Sequence, residues 1–472
     1  MFRLKKVFAL MLALLMMVSI VACGEKTTGS DPASATPSAA GTDATATPAA
    51  TEAAVAATPA PDTGKVLTIE CWNEEFKSRF EKYFQSKLPA DVTVNWVMTP
   101  SQGNAYQNKL DADLLGQSMA DEPIDIFLVE ADYALKYCNS SVSLDIIKDV
   151  GLTKEDLAQQ YPYTQKIVTD KNGVLKGTSW QATPGTLIYR RSIAKDVLGT
   201  DDPAMVQELV GDWTKFDAVA AQMAAKGYKM VSGYDDTYRL YANNISQPWV
   251  DANNKIVIDP MMMKWVDQDK TYTDMGYNNK SSLWDAVWSA DQGPDGKVFG
   301  VFHAPWGINF CMTGWSLSDP NAPQEVGNGI WGDWAVCAGP QSFYWGGTWI
   351  CAAAGTDNLN LVRDIMKTLT CDAAVMKEIT LNEQDYTNNM GAMTEIANSD
   401  FTSSFLGGQN HIKYLCDAAA KITLDTLSPY DQGMTEEWQR AFKGYFDGVV
   451  TKDVALENFY TAILEKYPNL TR

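Results

Sequence analysis

The sequence predicts an α/β fold in two lobes, and two observations carry that expectation. Between Val66 and Glu130 short apolar runs alternate with amphipathic ones, in the order of a β-α-β-α-β unit. The chain from Lys65 to Arg472 then provides roughly 400 residues, more than one hydrophobic core normally serves.

The elements follow in order. Arg3, Lys5 and Lys6 precede the apolar run "VFALMLALLMMVSIVA", which ends on small residues before Cys23. That is the layout of a signal peptide over residues 1–22, and the run is shorter than the ~18 residues of a spanning helix. "IVAC" (Ile20 to Cys23) resembles the bacterial lipobox, which implies cleavage before Cys23 and acylation of its thiol. Two acyl chains suffice for stable anchoring. Residues 23–64 are Ala, Thr, Pro and Ser with few large apolar side chains, and they read as a disordered tether. Flexible-coil scaling gives such a tether a reach of roughly 35 Å.

In the body, "VLTIECW" reads as a strand, "NEEFKSRFEKYFQSKL" as a helix and "VTVNWV" as a second strand. A helix over about 104–116 and the strand "IDIFLVE" (Ile124 to Glu130) complete an open sheet, whose ligands belong at the carboxyl ends of its strands. A second mixed region has a helix over 214–227, a strand "YKMVSG" (228–233) and a stretch rich in Trp, Tyr, Gly and Asn. Helical patterns dominate from Asn360, ending in "KDVALENFYTAILEKYP".

Composition excludes several functions. A formal net charge of -20 repels phosphate backbones, so no nucleic-acid partner is expected. The eight cysteines form no CxxC pair, and Cys311, Cys337 and Cys351 lie in apolar runs as small core residues. His303 and His411 are the only histidines, too few for a His-based triad or metal site. No G-x-S-x-G or H-E-x-x-H occurs, and "GNGIWG" (Gly327 to Gly332) matches G-x-G-x-x-G in the wrong context, a loop before "WAVCAG". No cofactor, metal or catalytic residue is expected.

"GVLKGTSWQATPGTLIYRRSIAKDVLG" (Gly173 to Gly199) resembles the hinge-proximal segment of bacterial extracellular solute-binding proteins of family 1, with its P-G-x-x-x-Y-R strand at Pro184 to Arg190. "GYDDTYRLYANNISQPWV", "SFYWGGTWICAA" and "FYTAILEKYPNL" agree in order. The resemblance implies a two-lobed periplasmic-binding-protein-like fold of type II, maltodextrin-binding-protein-like, in which the chain crosses between lobes three times. By that analogy the crossings fall near 180–187, 343–352 and 392–400. Lobe 1 is then 65–182 plus 350–395, and lobe 2 is 183–349 plus 396–472. The resemblance further implies a monomeric, non-enzymatic receptor on the outer face of the bacterial cytoplasmic membrane. It would capture a sugar, an oligosaccharide above all, and deliver it to an ABC import permease.

A sugar site needs aromatic plates for C–H faces and planar polar groups for hydroxyls, preorganised because an unpaired buried polar group costs ~1–3 kcal/mol. The chain has fifteen tryptophans, eight of them between Trp284 and Trp349. Trp72, Asn73 and Glu74 fall at the end of the first strand, Asp132 and Tyr133 just past the third, and Trp180 and Gln181 at the first crossing. Asp236 in "GYDD", Trp306 in "APWGINF", and Trp345 with Gly347 at the second crossing complete the candidates, with Trp345 preferred over Trp349. Trp265, Trp284 and Trp288 read as core or helix contacts, and Arg190 and Arg191 as ion-pair residues near the hinge. A polyamine, peptide or other non-sugar ligand on the same fold stays open, since polyamine sites also combine Trp with carboxylates. So does a glycoside hydrolase, for which Glu74 and Asp132 would be the carboxylate pair.

Overall fold

The structure, a computed structural model, describes residues 60–472. The expected signal peptide, Cys23 and most of the tether lie outside the described residues. Nine strands form two sheets: β1 (Val66–Cys71), β2 (Thr93–Met98), β3 (Ile124–Glu130), β4 (Gly177–Ser179), β5 (Pro184–Arg190), β6 (Gly300–His303), β7 (Trp334–Cys337), β8 (Phe343–Tyr344) and β9 (Thr348–Ala352). The first sheet has the order β2-β1-β3-β9-β4, and the second is β6-β5-β7 with β8 on the start of β5.

In the first sheet β1 runs parallel to β2 and β3, while β9 is antiparallel to β3 and β4. Strand alternation sorts its core into two layers. Ile126 and Leu128 face Phe76, Phe80 and Ile365 on one side, and Phe127 and Val129 face Leu110, Tyr137 and Trp349 on the other. The second sheet does the same with Leu187 and Phe302 on one face and Ile188 and Val336 on the other. A helical layer built on Trp265, Trp438, Phe442 and Phe459 completes the second lobe.

Two adjacent segments join the lobes. The chain leaves β4 and enters β5 through 180–183, and it returns from β8 to β9 through 345–347. They are tied side by side: Trp345 N donates to Thr183 O at 3.2 Å, and Thr183 Oγ1 donates to Gly346 O at 3.0 Å. Thr183 holds φ at +42°, a strained value for a β-branched residue.

Three expectations need correction. The proposed tether ends too late, because Asp62 already docks on the first lobe, accepting from Asn360 N at 2.8 Å and Leu361 N at 2.9 Å. These donors open the helix Leu359–Thr370 and have no partner within it. The run 228–233 is not a strand; it contributes two isolated bridges, Lys229 to Val298 and Gly233 to Ser281, and is otherwise loop. Finally, 396–472 is not wholly second lobe. Phe405 and Leu406 do join the core of Ile188 and Val336, but Ile412, Leu415, Ala419 and Leu424 return to that of Phe127 and Trp349. The apolar stripe of the helix Ile412–Ala419 finds its cover there, so the last crossing is a broad segment rather than a single strand.

Candidate functional site

A cleft of about 620 Å³ opens between the sheets, at the carboxyl ends of β1 and β3 and along the hinge. Of the residues predicted from sequence, Trp72, Asn73, Asp132, Tyr133, Gln181, Trp306, Trp345 and Gly347 line it. Glu74, Trp180 and Asp236 do not, and each exclusion has a local cause.

β1 delivers Trp72 to the cleft, edge-on to Tyr106 at 5.4 Å. Asn73 Oδ1 then accepts from Glu75 N at 3.0 Å and starts the helix Glu75–Tyr83. That turn sends Glu74 out to solvent, 66% exposed and paired with Lys77, and brings Glu75 to the cleft instead. Glu75 pairs with Arg79 at 3.2 Å and accepts from Gln181 Nε2 at 3.0 Å. Gln181 also accepts from Thr348 N at 3.0 Å and donates to Asp385 at 2.8 Å, so its amide is engaged at both ends. Its neighbour Trp180 points the opposite way along the extended chain. It is fully buried, stacked on Phe76 at 5.5 Å with the Arg79 guanidinium over its ring.

At the end of β3, Glu130 Oε2 accepts from Asp132 N at 2.8 Å. Asp132 in turn holds Arg239 of the other lobe through two bonds, at 2.7 and 2.5 Å. A second contact crosses the cleft from Gln432 Nε2 to Asn104 Oδ1 at 3.3 Å. Burial, reinforced by the charge of Asp132 and opposed by Arg239, pushes the Glu130 carboxyl up to about 8. Burial works against the charge of Arg239 too, but Asp132 and Glu130 hold its basicity above the ordinary value. Tyr133 is buried in the wall beside Glu130, and its hydroxyl has no partner among the described residues.

The second-lobe wall is aromatic. Trp284 does meet the helix Ala286–Asp291, edge-on to Trp288 at 5.2 Å, and it is a cleft residue as well, standing 53% exposed with φ at +71°. Its ring lies nearly parallel to Trp306, at 6.2 Å and 17°. Trp306 donates Nε1 to Trp345 O at 2.9 Å and meets the Trp345 ring edge-on at 5.1 Å. Trp345 is backed by His303, stacked at 5.2 Å and 14°, whose imidazole burial drives down to about 3, keeping it neutral. Trp265 and Trp288 are buried. Asp236 is spent inside the lobe, accepting from Gly233 N at 2.6 Å and Trp288 Nε1 at 3.1 Å, and Asp235 lines the cleft in its place.

Gly346 and Gly347 (φ +66° and +107°) break strand alternation between Trp345 and Trp349. Trp345 therefore stays on the cleft, while Trp349 turns into the first-lobe core and donates to Thr164 O at 2.9 Å. A side chain at 347 would meet the Trp349 ring at 3.0 Å. Arg190 pairs with Asp333 at 2.9 Å, away from the cleft.

Sequence reasoning placed Glu130 at the ligand end of the third strand without counting it among the site residues, and missed Glu75, Arg239 and the face Gln432, Thr435, Glu436, Gln439 of the helix Asp431–Phe446. That face has helical spacing opposite Met434, Trp438 and Phe442, a pattern visible in the sequence that does not tell a cleft from solvent.

No protein-family model matches the chain, and no curated protein matches it in sequence. Solved structures do match its fold. A protein described as extracellular solute-binding protein family 1 superposes with a TM-score of 0.70 at 15% identity, covering 85% of this chain and 99% of its own. The galacto-N-biose/lacto-N-biose I-binding protein of the ABC transporter from Bifidobacterium longum, in complex with lacto-N-biose, gives 0.64 at 14% identity over 87% and 100%. The ABC transporter associated binding protein from B. animalis subsp. lactis Bl-04, in complex with β-1,6-galactobiose, gives 0.64 at 14% over 86% and 99%. The fold is thus the two-lobed, maltodextrin-binding-protein-like one that the sequence resemblance implies.

Proposed function

We propose that this chain is a lipid-anchored extracellular receptor that captures a sugar in the interlobe cleft and delivers it to an ABC import permease. The observation that carries the reading is the pairing of two unlike walls. Carboxylates and amides from the first lobe face three tryptophans from the second across one cavity. That is the complement of a sugar ring, with hydroxyls at its equator and C–H groups on its faces. Structures of the same fold described as holding lacto-N-biose and galactobiose support it.

Closure follows from contacts made by both lobes. Asp132 with Arg239 and Asn104 with Gln432 exist only when the lobes are together, and a ligand touching both walls adds to them, so the closed population rises. The closed, monomeric form then presents one surface to the permease. The basic and apolar leader with Cys23 supports export and acylation, and among the described residues no helix is long and apolar enough to cross a membrane.

The test is a thermal-shift screen of the full chain in detergent against glycans, polyamines and peptides. Stabilisation by a glycan is expected. Stabilisation by an amine or peptide alone overturns the sugar assignment, and glycan turnover overturns the receptor in favour of a hydrolase. Cys23→Ala is expected to release the protein from the cell pellet, and its retention there overturns lipidation.

A further inference from the structure

The charges lining the cleft are lopsided. Five carboxylates reach it, Glu75, Glu130, Asp132, Asp235 and Glu436, against one cation, Arg239. Three of the five already have a cation: Asp132 has Arg239 at 2.5 Å, Glu436 has Lys466 at 2.8 Å, and Glu75 shares Arg79 with Glu383 and Asp385. The guanidinium of Arg239 uses both terminal nitrogens on Asp132. Among the described residues, nothing basic in the wall is left to receive an acid group from a ligand.

Glu130 and Asp235 are different. Neither forms an ion pair among the described residues. Glu130 spends Oε2 on the backbone of Asp132, and Asp235 accepts from Leu283 N at 3.1 Å. Both stand beside the tryptophans. The point where a side chain would begin on Gly346 lies 3.6 Å from Glu130 Oε1 and 3.4 Å from Trp306 Nε1. Leu283, held by Asp235, immediately precedes Trp284. A free carboxylate oxygen in a cleft walled by aromatic rings is a partner that an ammonium group favours, through a charge-assisted hydrogen bond. Tyr133, 7% exposed in the same wall, has a hydroxyl without a hydrogen-bond partner among the described residues.

The geometry points to a seat for an ammonium group between Glu130 and the Trp284–Trp306–Trp345 cluster, and so to a glycan carrying a free amine as the ligand of this cleft. The inference rests on the carbohydrate reading above and narrows it. Neutral sugars lack the charge that Glu130 would gain a partner from, and uronic acids bring a charge that the wall repels.

Titration of Glu130 gives the inference a second signature. The groups facing it are Asp132, Arg239, Tyr133 and Tyr344; Arg239 and the backbone N–H of Asp132 favour its ionised form, against burial and the charge of the Asp132 carboxylate. With its carboxyl held up to about 8, Glu130 is largely protonated at pH 7 in the free protein. An ammonium group stabilises the carboxylate, so its binding releases a proton.

The experiment is calorimetric titration of the full chain in detergent with matched sets of hexose mono- to trisaccharides. Each set contains the amino sugar, its N-acetylated form, the neutral parent and the uronic acid, and is run in two buffers of different ionisation enthalpy. The amine is expected to bind at least about tenfold tighter than its partners, with proton release that Glu130→Gln abolishes along with the preference. Equal binding of amine and neutral parent overturns this inference while the carbohydrate reading stands. Binding by no glycan of any set, with or without binding of spermidine, overturns the carbohydrate reading and the inference with it. Retained preference and proton release in Glu130→Gln, with the variant's melting temperature unchanged, overturns the assignment of the seat to Glu130.

Discussion

The two walls of the cleft are built on opposite principles. On the first lobe the polar groups are held largely by one another: Gln181 by Glu75, Thr348 and Asp385, and Asp132 by Arg239, while Glu130 keeps one oxygen free. On the second lobe the aromatic groups are held by ring contacts, Trp284 stacked on Trp306, Trp306 edge-on to Trp345 and Trp345 stacked on His303, with a single hydrogen bond among them. The difference teaches how labour is divided. Directional bonds fix the orientation of a ligand and the approach of the lobes, whereas flat apolar area supplies affinity that tolerates variation in what is stacked on it.

The sharpest way to break this contrast is at the bond that joins the walls. Arg239→Ala leaves Asp132 uncompensated beside Glu130 in a poorly solvated site, with the pair's side chains only 16% and 19% exposed. Removing one partner of a buried pair costs ~3–5 kcal/mol, and partial exposure brings this toward about 3. Affinity for every ligand is expected to fall by roughly a hundredfold, with a larger radius of gyration in the presence of ligand. The double variant with Asp132→Asn is expected to recover part of the loss, since it removes the stranded charge. Equal loss in the single and double variants would mean that Arg239 touches ligand instead of latching the lobes.

On the aromatic wall the effect is smaller and graded. Trp306→Ala removes the ring that contacts both Trp284 and Trp345, and about 2 kcal/mol of binding is expected to go with it, roughly thirtyfold in Kd. Trp284→Ala, at a half-exposed position, is expected to cost about 1 kcal/mol. Fluorescence titration with a single sugar ranks the two. If the order reverses, the exposed ring is the principal plate and Trp306 is its support.

The same contrast explains what the sequence could reveal. The sheet of the first lobe was legible because its strands are bounded apolar runs, and the ends of β1 and β3 located Trp72, Asn73, Asp132 and Tyr133. What failed was the choice between neighbours. Glu74 against Glu75 was decided by an Asn73 turn, Asp236 against Asp235 by a bond to Trp288, and Trp180 against Gln181 by which side of an extended segment met the core. Side-chain direction changes with each residue there, so an error of one position reverses the answer. Arg239 was illegible for another reason, since its role depends on a contact with a residue 107 positions away in another lobe. Trp284 was hidden by a positive φ that no residue type advertises except glycine.

The weakest expected effect concerns the cost of burying carboxylates in the cleft and inside the second lobe. Burial first, then neighbouring acids, raise Glu130 to about 8 and Asp236 to about 7; burial, with Asp132 nearby, raises Asp431 to about 7. Their unfolded values lie near 4, so over this range the folded state binds more protons than the unfolded one. Stability therefore rises as pH falls from 8 toward 6.5, as these groups protonate. Below about 6.5 the histidines oppose it: burial lowers His303 to about 3 and His411 to about 4, so the unfolded state takes up the protons there. The midpoint of urea unfolding is expected to be higher at pH 6.5 than at pH 8 in the wild type. Glu130→Gln, which removes a cleft carboxylate without removing the fold's apolar contacts, is expected to narrow that difference. An unchanged pH dependence would place the strain in carboxylates outside the cleft, such as Glu70, which burial and Asp113 also raise to about 8.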